Sequence, residues 1–413
     1  MDCIIVFEDE NYSRFYPISL SKPTYSLLSG AKTNLERIKH HFSDFKIFTI
    51  CRPYLANRSK ISYDQFNKFI LINGSCVFQK KDLEFIKELK NSNSSIAYVK
   101  NGITVAIVLS QEEFRERLKD TSEDFSKKII EGLKTIEIDI LTFSYIWDLI
   151  FYNQELIISD FDEYFKDKGK EDNIGYSFIY GREEISADCD ISADAFSVID
   201  SREGPVIIQK GVEIKPFTYL KGPAFIGDEC KLVGGKITNS CSFGKGCRIG
   251  GEIENTIVIG NSNKYHEGFI GHSYIGEWVN LGALATNSDL KNNYSEISVK
   301  QNGIITKTKS IKIGCFIGDH TKIGIGITLN TGVVIGFSCN LFGGSLIMEK
   351  EIPSFAFGND SLRHELSLQK AIDTAKIVLE RRNFRFDSKH QELFKYIFNE
   401  SAGQRKAWLK NGC

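Results

Sequence analysis

Branched aliphatic residues recur at every sixth position through much of the second half of this chain. Ile208, Ile214, Leu220, Ile226 and Leu232 keep the spacing, and Ile311, Ile317, Ile323, Leu329, Ile335, Leu341 and Ile347 resume it. A helix repeats near 3.6 residues and a strand at two, so neither explains a period of six. A left-handed parallel β-helix does, because three hexapeptides make one triangular coil and each aliphatic points to the axis from a flat side. Gly227, Gly318, Gly324 and Gly336 directly follow core aliphatics, which predicts that glycine turns the corners. The period opens at Ile185 and Ile191 and lapses between Thr286 and Ser310 into a polar segment, as expected of a loop extruded from one corner. Pro353 is the expected end of the coils.

Before this stretch the pattern is different. Cys3 to Phe7, Lys46 to Ile50 and Phe69 to Ile72 are short apolar runs, and Ala31 to Phe42 and Lys81 to Leu89 between them are amphipathic at helical spacing. That alternation predicts a parallel, Rossmann-like α/β sheet. Ile96 to Val99 and Thr104 to Leu109 read as a later strand pair, and Leu141 to Phe165 as helical. Ligands of such sheets sit beyond the carboxyl ends of the strands, which directs attention to the loop after Phe7 and to Asn73 and Gly74. After the coils, Leu366, Ala371, Ala375, Val378 and Leu379 mark one helix and Leu393 to Phe398 a second, expected to cap an end of the prism. The division is therefore 1–182 (α/β domain), 183–360 (β-helix) and 361–413 (helical tail).

Composition narrows the partners. At 413 residues the chain has room for two or three domains, and 52 Lys and Arg against 53 Asp and Glu leave a formal charge of -1. Nothing in that balance attracts nucleic acid or an anionic membrane, so phosphate recognition has to be local. Ile323 to Met348 runs 26 residues without a charge, but its period is six, which speaks against a membrane span. The ten cysteines include no C-x-x-C pair, which predicts reduced thiols, no metal centre and a cytoplasmic location. The N-terminus has neither a basic segment nor a long apolar run, so export is not expected.

In the first domain, RFYPISLSKPTYSLLSG follows the first strand. It resembles the P-L-T-x-x-x-P-K region of sugar-phosphate nucleotidyltransferases, in which a loop after the first strand grips nucleotide phosphates. The Gly-rich, Arg-containing loop of that family is replaced here by EDENYSR, whose Glu8, Asp9 and Glu10 would repel a triphosphate. Arg14 and Lys22 are the candidate phosphate ligands. Asn73 and Gly74 stand where the family places a Mg2+-binding Asp, and an amide is a weaker ligand for that hard cation. Asp160 and Asp162 are spare acidic candidates for the ion.

The segment SNKYHEGFIGHSYIGEWVNLGALATNSDLKNNYSE, from Ser262 to Glu296, carries the second set of candidates. It resembles the acetyltransferase half of the bifunctional N-acetylglucosamine-1-phosphate uridylyltransferase family, with its K-x-x-H-x-x-Y, V-N-I-G-A-G and C-N-Y elements. A Bacteroidetes-type branch of sugar nucleotidyltransferases is closer, sharing S-N-K-x-H-D-G, I-G-E-W-x-N-L-G-A, L-K-N-N-Y-S-E, a G-D-H-x-K-x-G-I stretch and I-P-S-F. The resemblance implies that His266 is the general base, that Asn280 contacts substrate, and that Asn293 and Tyr294 are the Asn-Tyr pair after the coil. An imidazole can accept a proton from an attacking amine near neutral pH. Phe269 replaces the family's Tyr, and Lys264 stands one residue nearer the histidine than the family's lysine. Gly246 occupies the family's Arg position, with Arg248 two residues on. Lys264, Lys291 and Arg248 are the local phosphate binders, whereas His272 and His320 are expected to be structural or at a subunit interface.

The resemblance implies a transferase that moves an acyl group from acetyl-CoA or another acyl-CoA to an aminosugar phosphate in the β-helix, beside a degenerate nucleotidyltransferase site. Sugar phosphates and nucleotides would be its small-molecule partners, Mg2+ the ion of the first domain, and a homotrimer its assembly. The alternative is a non-catalytic protein that binds nucleotide sugars or regulates their use.

Overall fold

The computed structural model describes residues 2–56, 64–118, 129–166, 175, 177–188 and 190–410. By internal packing the chain divides into two compact units. One comprises 1–15, 22–27 and 32–145, the other 16–21, 28–31 and 146–413. The expected boundary at 182/183, just before the six-residue period, therefore lies inside the second unit.

The first unit is built on a six-stranded sheet. Asp2–Phe7 lies between Lys46–Ile50 and Lys68–Asn73 and is parallel to both. Ile4, Val6, Ile70 and Ile72 enter one core, while Cys3, Ile5, Phe7, Phe69 and Leu71 enter the other. Burial on both faces explains why these strands read as continuous apolar runs rather than as alternation. Phe114, on helix Gln111–Leu118, stacks on Phe69 with ring centroids 3.8 Å apart. Helix Asn34–His41 starts at Thr33, whose hydroxyl accepts from the Glu36 amide while the Glu36 carboxylate accepts from the Thr33 amide. The sheet is mixed, not wholly parallel as the alternation suggested. Ile103–Ser110 runs antiparallel to both Lys68–Asn73 and Ile96–Lys100. The cause is local, since Asn101 and Gly102 adopt left-handed backbone (φ 50° and 79°) and close a tight hairpin.

The second unit is a three-sided parallel β-solenoid. One side is a nine-stranded sheet. Successive register partners carry the core row Ala187, Ile208, Ile226, Phe243, Val258, Ile275, Ile317, Ile335 and Ile352 along it. Eighteen residues separate the paired Ile208 and Ile226, but fifteen separate Phe243 and Val258. The sequence period lapses after Leu232 because coils shorten, while the stack itself continues. The extruded loop is confirmed between Asn287 and Cys315, and it carries a hairpin of Ser298–Gln301 with Ile304–Lys307.

Three expectations about the coils are corrected. Ile311 is 47% exposed because it lies on the returning limb of the extruded loop, outside the coil. Strands Glu351–Ile352 and Ala356–Gly358 still pair with the preceding coil, so the stack runs past Pro353. The residues that turn the corners sit two positions after the glycines: Glu229, His320 and Ser338 take φ of 58°, 63° and 53°. Gly318 is required instead by close stacking, since a Cβ there would lie 2.8 Å from the Gly336 carbonyl of the next coil.

The outward residues of the nine-stranded sheet, Ile207, Ile257, Tyr274, Phe316 and Val334, are buried as well. Helices Ile146–Phe151 and Asn153–Asp160 lie on this sheet. Asn153 donates to the Ser240 carbonyl at 2.6 Å and accepts from the Gly30 amide at 2.7 Å. Residues 16–21 and 28–31 belong to the same covering, with the Tyr274 hydroxyl donating to the Leu28 carbonyl at 2.9 Å. In the tail, Leu368–Glu380 and Ser388–Glu400 bury Ala371, Ile372, Ala375, Phe394 and Ile397 against Phe337 and Phe355 on the side of the prism. Trp408, on Ala402–Lys410, joins the axial core, so this last helix supplies the expected cap. Among the described residues no helix is long and apolar enough to cross a membrane, and the uncharged stretch from Ile323 to Met348 forms solenoid strands.

Candidate functional site

The loop after the first strand of the α/β unit is closed upon itself. Glu8 has its carboxylate buried, pairs with Arg52 at 2.8 and 3.1 Å, and accepts from the Thr24 amide at 2.9 Å. Burial pushes the Arg52 guanidinium down, but Glu8 outweighs it and holds the group above its ordinary value. Asp9 accepts from the Asn11 amide and side chain at 3.0 Å each and from Asn73 Nδ2 at 2.9 Å. Asn73 Nδ2 also donates to the Thr104 carbonyl, while its Oδ1 accepts from the Ser75 amide and hydroxyl. Gly74 donates its amide to the Phe7 carbonyl, and a Cβ on it would meet Tyr25 Cβ at 2.5 Å. Asn73 and Gly74 thus hold the strand end together.

Among the described residues of this unit no donor set fits a Mg2+ ion. The Asn73 carbonyl oxygen and the Asp9 carboxylate are committed to internal donors, and among the described residues no three His, Cys, Asp or Glu cluster for a metal. Asp160 is buried in the other unit and accepts from the Ala31 amide at 2.7 Å, and exposed Asp162 pairs with Lys166. Arg14 is exposed with its guanidinium over the Tyr145 ring, and half-buried Lys22 gives its carbonyl to Arg52.

On the solenoid, strands Arg248–Glu254, Asn263–Lys264, Asn280–Leu281 and Lys322–Ile323 stack along a second side. Their outward row reads Arg248, Asn263, Asn280, Lys322, and their inward row Ile249, Lys264, Leu281, Ile323. Lys264 therefore occupies a position that is aliphatic in its neighbours. It is buried, its ammonium donates to the His266 carbonyl, and burial lowers its pKa to about 8, opposed only by Glu267. His266 itself is exposed on the corner that follows, with its ring edge-on to Tyr265 at 5.2 Å. The Leu284 amide donates to the Glu267 carbonyl and the Gly326 amide to the Ala283 carbonyl, so this corner continues through the next two coils. It presents Tyr265 (45% exposed), Leu284 (59%) and Ile325 (71%) as an apolar ridge beside His266. Asn280 is exposed and its Oδ1 accepts from Asn263 Nδ2 at 3.3 Å.

The remaining candidates are elsewhere. Asn293 and Tyr294 lie exposed on the extruded loop, which leaves from a different corner; Asn293 Oδ1 caps the Ser295 amide, and Lys291 is tied to the Glu296 carbonyl. That loop is pinned at its base by His272 Nδ1, 2.7 Å from Asp289. Burial pushes the Asp289 carboxyl up, but the hydrogen bond and charge of His272, together with the charge of Lys312, outweigh it and leave it below the usual range. His320 packs among Trp278, Phe337 and Phe394, so both histidines have structural surroundings.

Sequence reasoning missed Arg382. It follows helix Leu368–Glu380 and donates to the Gly246 carbonyl at 3.0 Å and to Asn263 Oδ1 at 2.8 Å, which sets its guanidinium beside Arg248. Nothing local in the sequence marks it, because the contact spans 136 residues.

The inward lysine carries a pH prediction. Its ordinary pKa of 10.5 falls to about 8 on folding, so between those values the unfolded chain holds a proton that the folded chain has released. Stability contributed at this site accordingly rises with pH across that window. Thermal unfolding of Lys264→Met and the parent chain from pH 7 to 10.5 is expected to show the parent gaining on the variant above about pH 8. A constant difference would contradict the burial of a lysine there.

Residues 4–168 match the family model described as sugar nucleotidyl transferase. The chain is 30% identical over 162 residues to the bifunctional sugar-1-phosphate nucleotidylyltransferase/acetyltransferase of Sulfurisphaera tokodaii, covering 35% of this chain and 37% of that protein. It is 25% identical over 339 residues to the bifunctional protein GlmU of Methanocaldococcus jannaschii, covering 72% and 76%. To the uncharacterized acetyltransferase YaiX of Escherichia coli it is 30% identical over 176 residues, covering 41% and 73%. The chain thus spans 37% to 76% of the length of these curated relatives.

Proposed function

We propose, because the chain belongs to the GlmU-like family of sugar nucleotidyltransferase and acetyltransferase proteins, that its solenoid transfers an acyl group from an acyl-coenzyme A to the amine of an aminosugar phosphate. The observation that carries the proposal is the corner at His266: an exposed imidazole, held through its backbone by a lysine inside the coil, between an apolar ridge and a polar row. In this reading the amine nitrogen bonds to the thioester carbonyl carbon as its proton passes to His266, and the carbon–sulfur bond breaks to release the thiolate. Tyr265, Leu284 and Ile325 offer apolar surface to the acyl donor, which is a substrate here. Asn280 orients the sugar, and Arg248 takes its phosphate. Lys264 supports the corner from within, since its ammonium is turned to the His266 carbonyl. Asn293 and Tyr294 act from the extruded loop.

The proposed organisation is 1–182 for the nucleotidyltransferase-like domain, 183–360 for the acyltransferase and 361–413 for the tail, in a cytoplasmic protein. Release of free thiol from acetyl-CoA, followed across a panel of aminosugar phosphates, tests the proposal, and no consumption with any of them would overturn it. A binding or regulatory protein is the second reading, favoured by the closed loop at Glu8, Asp9 and Asn73 in the first domain. That loop predicts no pyrophosphate release at ordinary enzymatic rates from any nucleoside triphosphate and sugar 1-phosphate, and turnover above about 1 per second would refute it.

The assembly proposed is a homotrimer, in which the extruded loop of one copy reaches the His266 corner of another. Its support is the apolar ridge together with exposed Leu346 and Met348; most of the uncharged stretch is already buried within one chain. Sedimentation equilibrium is expected to give three times the 46.7 kDa chain mass, and a monomer would remove this part of the proposal.

A further inference from the structure

Arg248 and Arg382 are a pair of guanidiniums without a carboxylate. Arg248 is half-buried, and among the described residues its side chain makes no hydrogen bond or ion pair; its Nε is sealed from solvent with no acceptor. Arg382 spends two of its donors on neutral acceptors, the Gly246 carbonyl and Asn263 Oδ1. Asn263 is the register partner of Arg248 on the next coil, so the two side chains flank the same amide. Burial, and then the charge of Arg248, hold the Arg382 guanidinium below its ordinary value, and Arg381 adds to the repulsion. Two arginines brought together at such a cost, with donors left over, match an anion that can accept from both forks. A carboxylate accepts one fork well, whereas a phosphoryl group has three oxygens and enough charge for two. The docking of the segment does not itself demand the arginine, because Phe384 already packs edge-on against Trp278 at 5.1 Å.

We propose that Arg248 and Arg382 form a clamp for the phosphoryl group of a small-molecule ligand, one jaw on the solenoid and the other on the helical tail. The clamp stands on its own residues. Only the identity of the molecule that brings the phosphate rests on the acyltransferase reading, in which either the aminosugar phosphate or the 3′-phosphate of coenzyme A is the source.

Calorimetric titration of the full chain with inorganic phosphate, glucosamine 1-phosphate, coenzyme A and 3′-dephospho-coenzyme A tests this. Inorganic phosphate is expected to bind saturably, and Arg248→Gln and Arg382→Gln each to weaken it about tenfold or more. Phe384→Ala, which loosens the same segment without removing charge, is expected to stay within about threefold of the parent. A parallel loss for glucosamine 1-phosphate alone assigns the clamp to the sugar. A loss for coenzyme A that the dephospho form does not share assigns it to the acyl donor. Unchanged phosphate binding in both arginine variants, an equal loss in Phe384→Ala, or no saturable phosphate binding by the parent would each overturn the clamp. Thioester turnover separates the two proposals: intact phosphate binding without turnover sinks acyl transfer and leaves the clamp. Turnover with KM unchanged for both substrates in Arg382→Gln sinks the clamp and leaves acyl transfer.

Discussion

His266→Ala is expected to lower acyl transfer by about two to four orders of magnitude while folding and coenzyme A affinity remain near those of the parent chain. The imidazole stands exposed on its corner, so its removal opens no cavity in the coil. The corner is held by groups the substitution does not touch, namely the Lys264 ammonium on the backbone carbonyl and the Glu267 carbonyl that accepts from Leu284. In the proposed reaction, what disappears is the acceptor for the proton that an amine must shed as it attacks a thioester. Single-turnover measurement of thiol release, with the melting temperature as a control on folding, checks this. Full activity in the variant would move the general base elsewhere.

Ile323→Asp is expected to abolish soluble folded protein. Ile323 lies in the axial core between Leu281 and Leu341, packed among aliphatic side chains. An unpaired carboxylate in that setting costs on the order of 5 kcal/mol, comparable to the whole stability of a typical domain. In a solenoid the damage spreads, because each coil is the template for its neighbours. Expression and fractionation beside Ile325→Asp make the test specific. Ile325, two residues on, is largely exposed on the corner and should tolerate the charge. Equal yields from the two variants would contradict the placement of the core row.

The contrast between those two isoleucines shows what the sequence could and could not disclose. The six-residue period identified the solenoid because every core side chain recurs at a fixed distance while coils are regular. It failed where coils shorten, as between Phe243 and Val258, and it enlisted Ile311 where the chain was already returning from the loop. Glycine was legible as a marker of the coil but not of its role, since close stacking rather than positive φ demands Gly318. The sheet of the first unit was visible in its apolar runs, whereas the antiparallel turn depended on the backbone of two residues, Asn101 and Gly102.

For the candidate site, motif spacing located His266, Asn280 and the loop, but not their surroundings. That Lys264 points inward follows from its register with Ile249 and Leu281, which is fixed only once coil lengths are known. Arg382 lay beyond reach for a different reason: a partner 136 residues away leaves no local signature in either segment.

The path of the first thirty residues limits how this protein can be taken apart or recombined. Residues 16–21 and 28–31 are structural parts of the second unit, although everything around them in the chain builds the first. A fragment that began at Ile146 would leave the Tyr274 hydroxyl without the Leu28 carbonyl, Asn153 Oδ1 without the Gly30 amide, and the Leu149 carbonyl without the Ser29 hydroxyl. Each buried group deprived of its partner costs about 1–3 kcal/mol. The solenoid is thus not a cassette that can be exchanged at a linker. Its inheritance, duplication or grafting onto another domain has to carry residues 16–21 and 28–31, which precede most of the α/β unit in the chain.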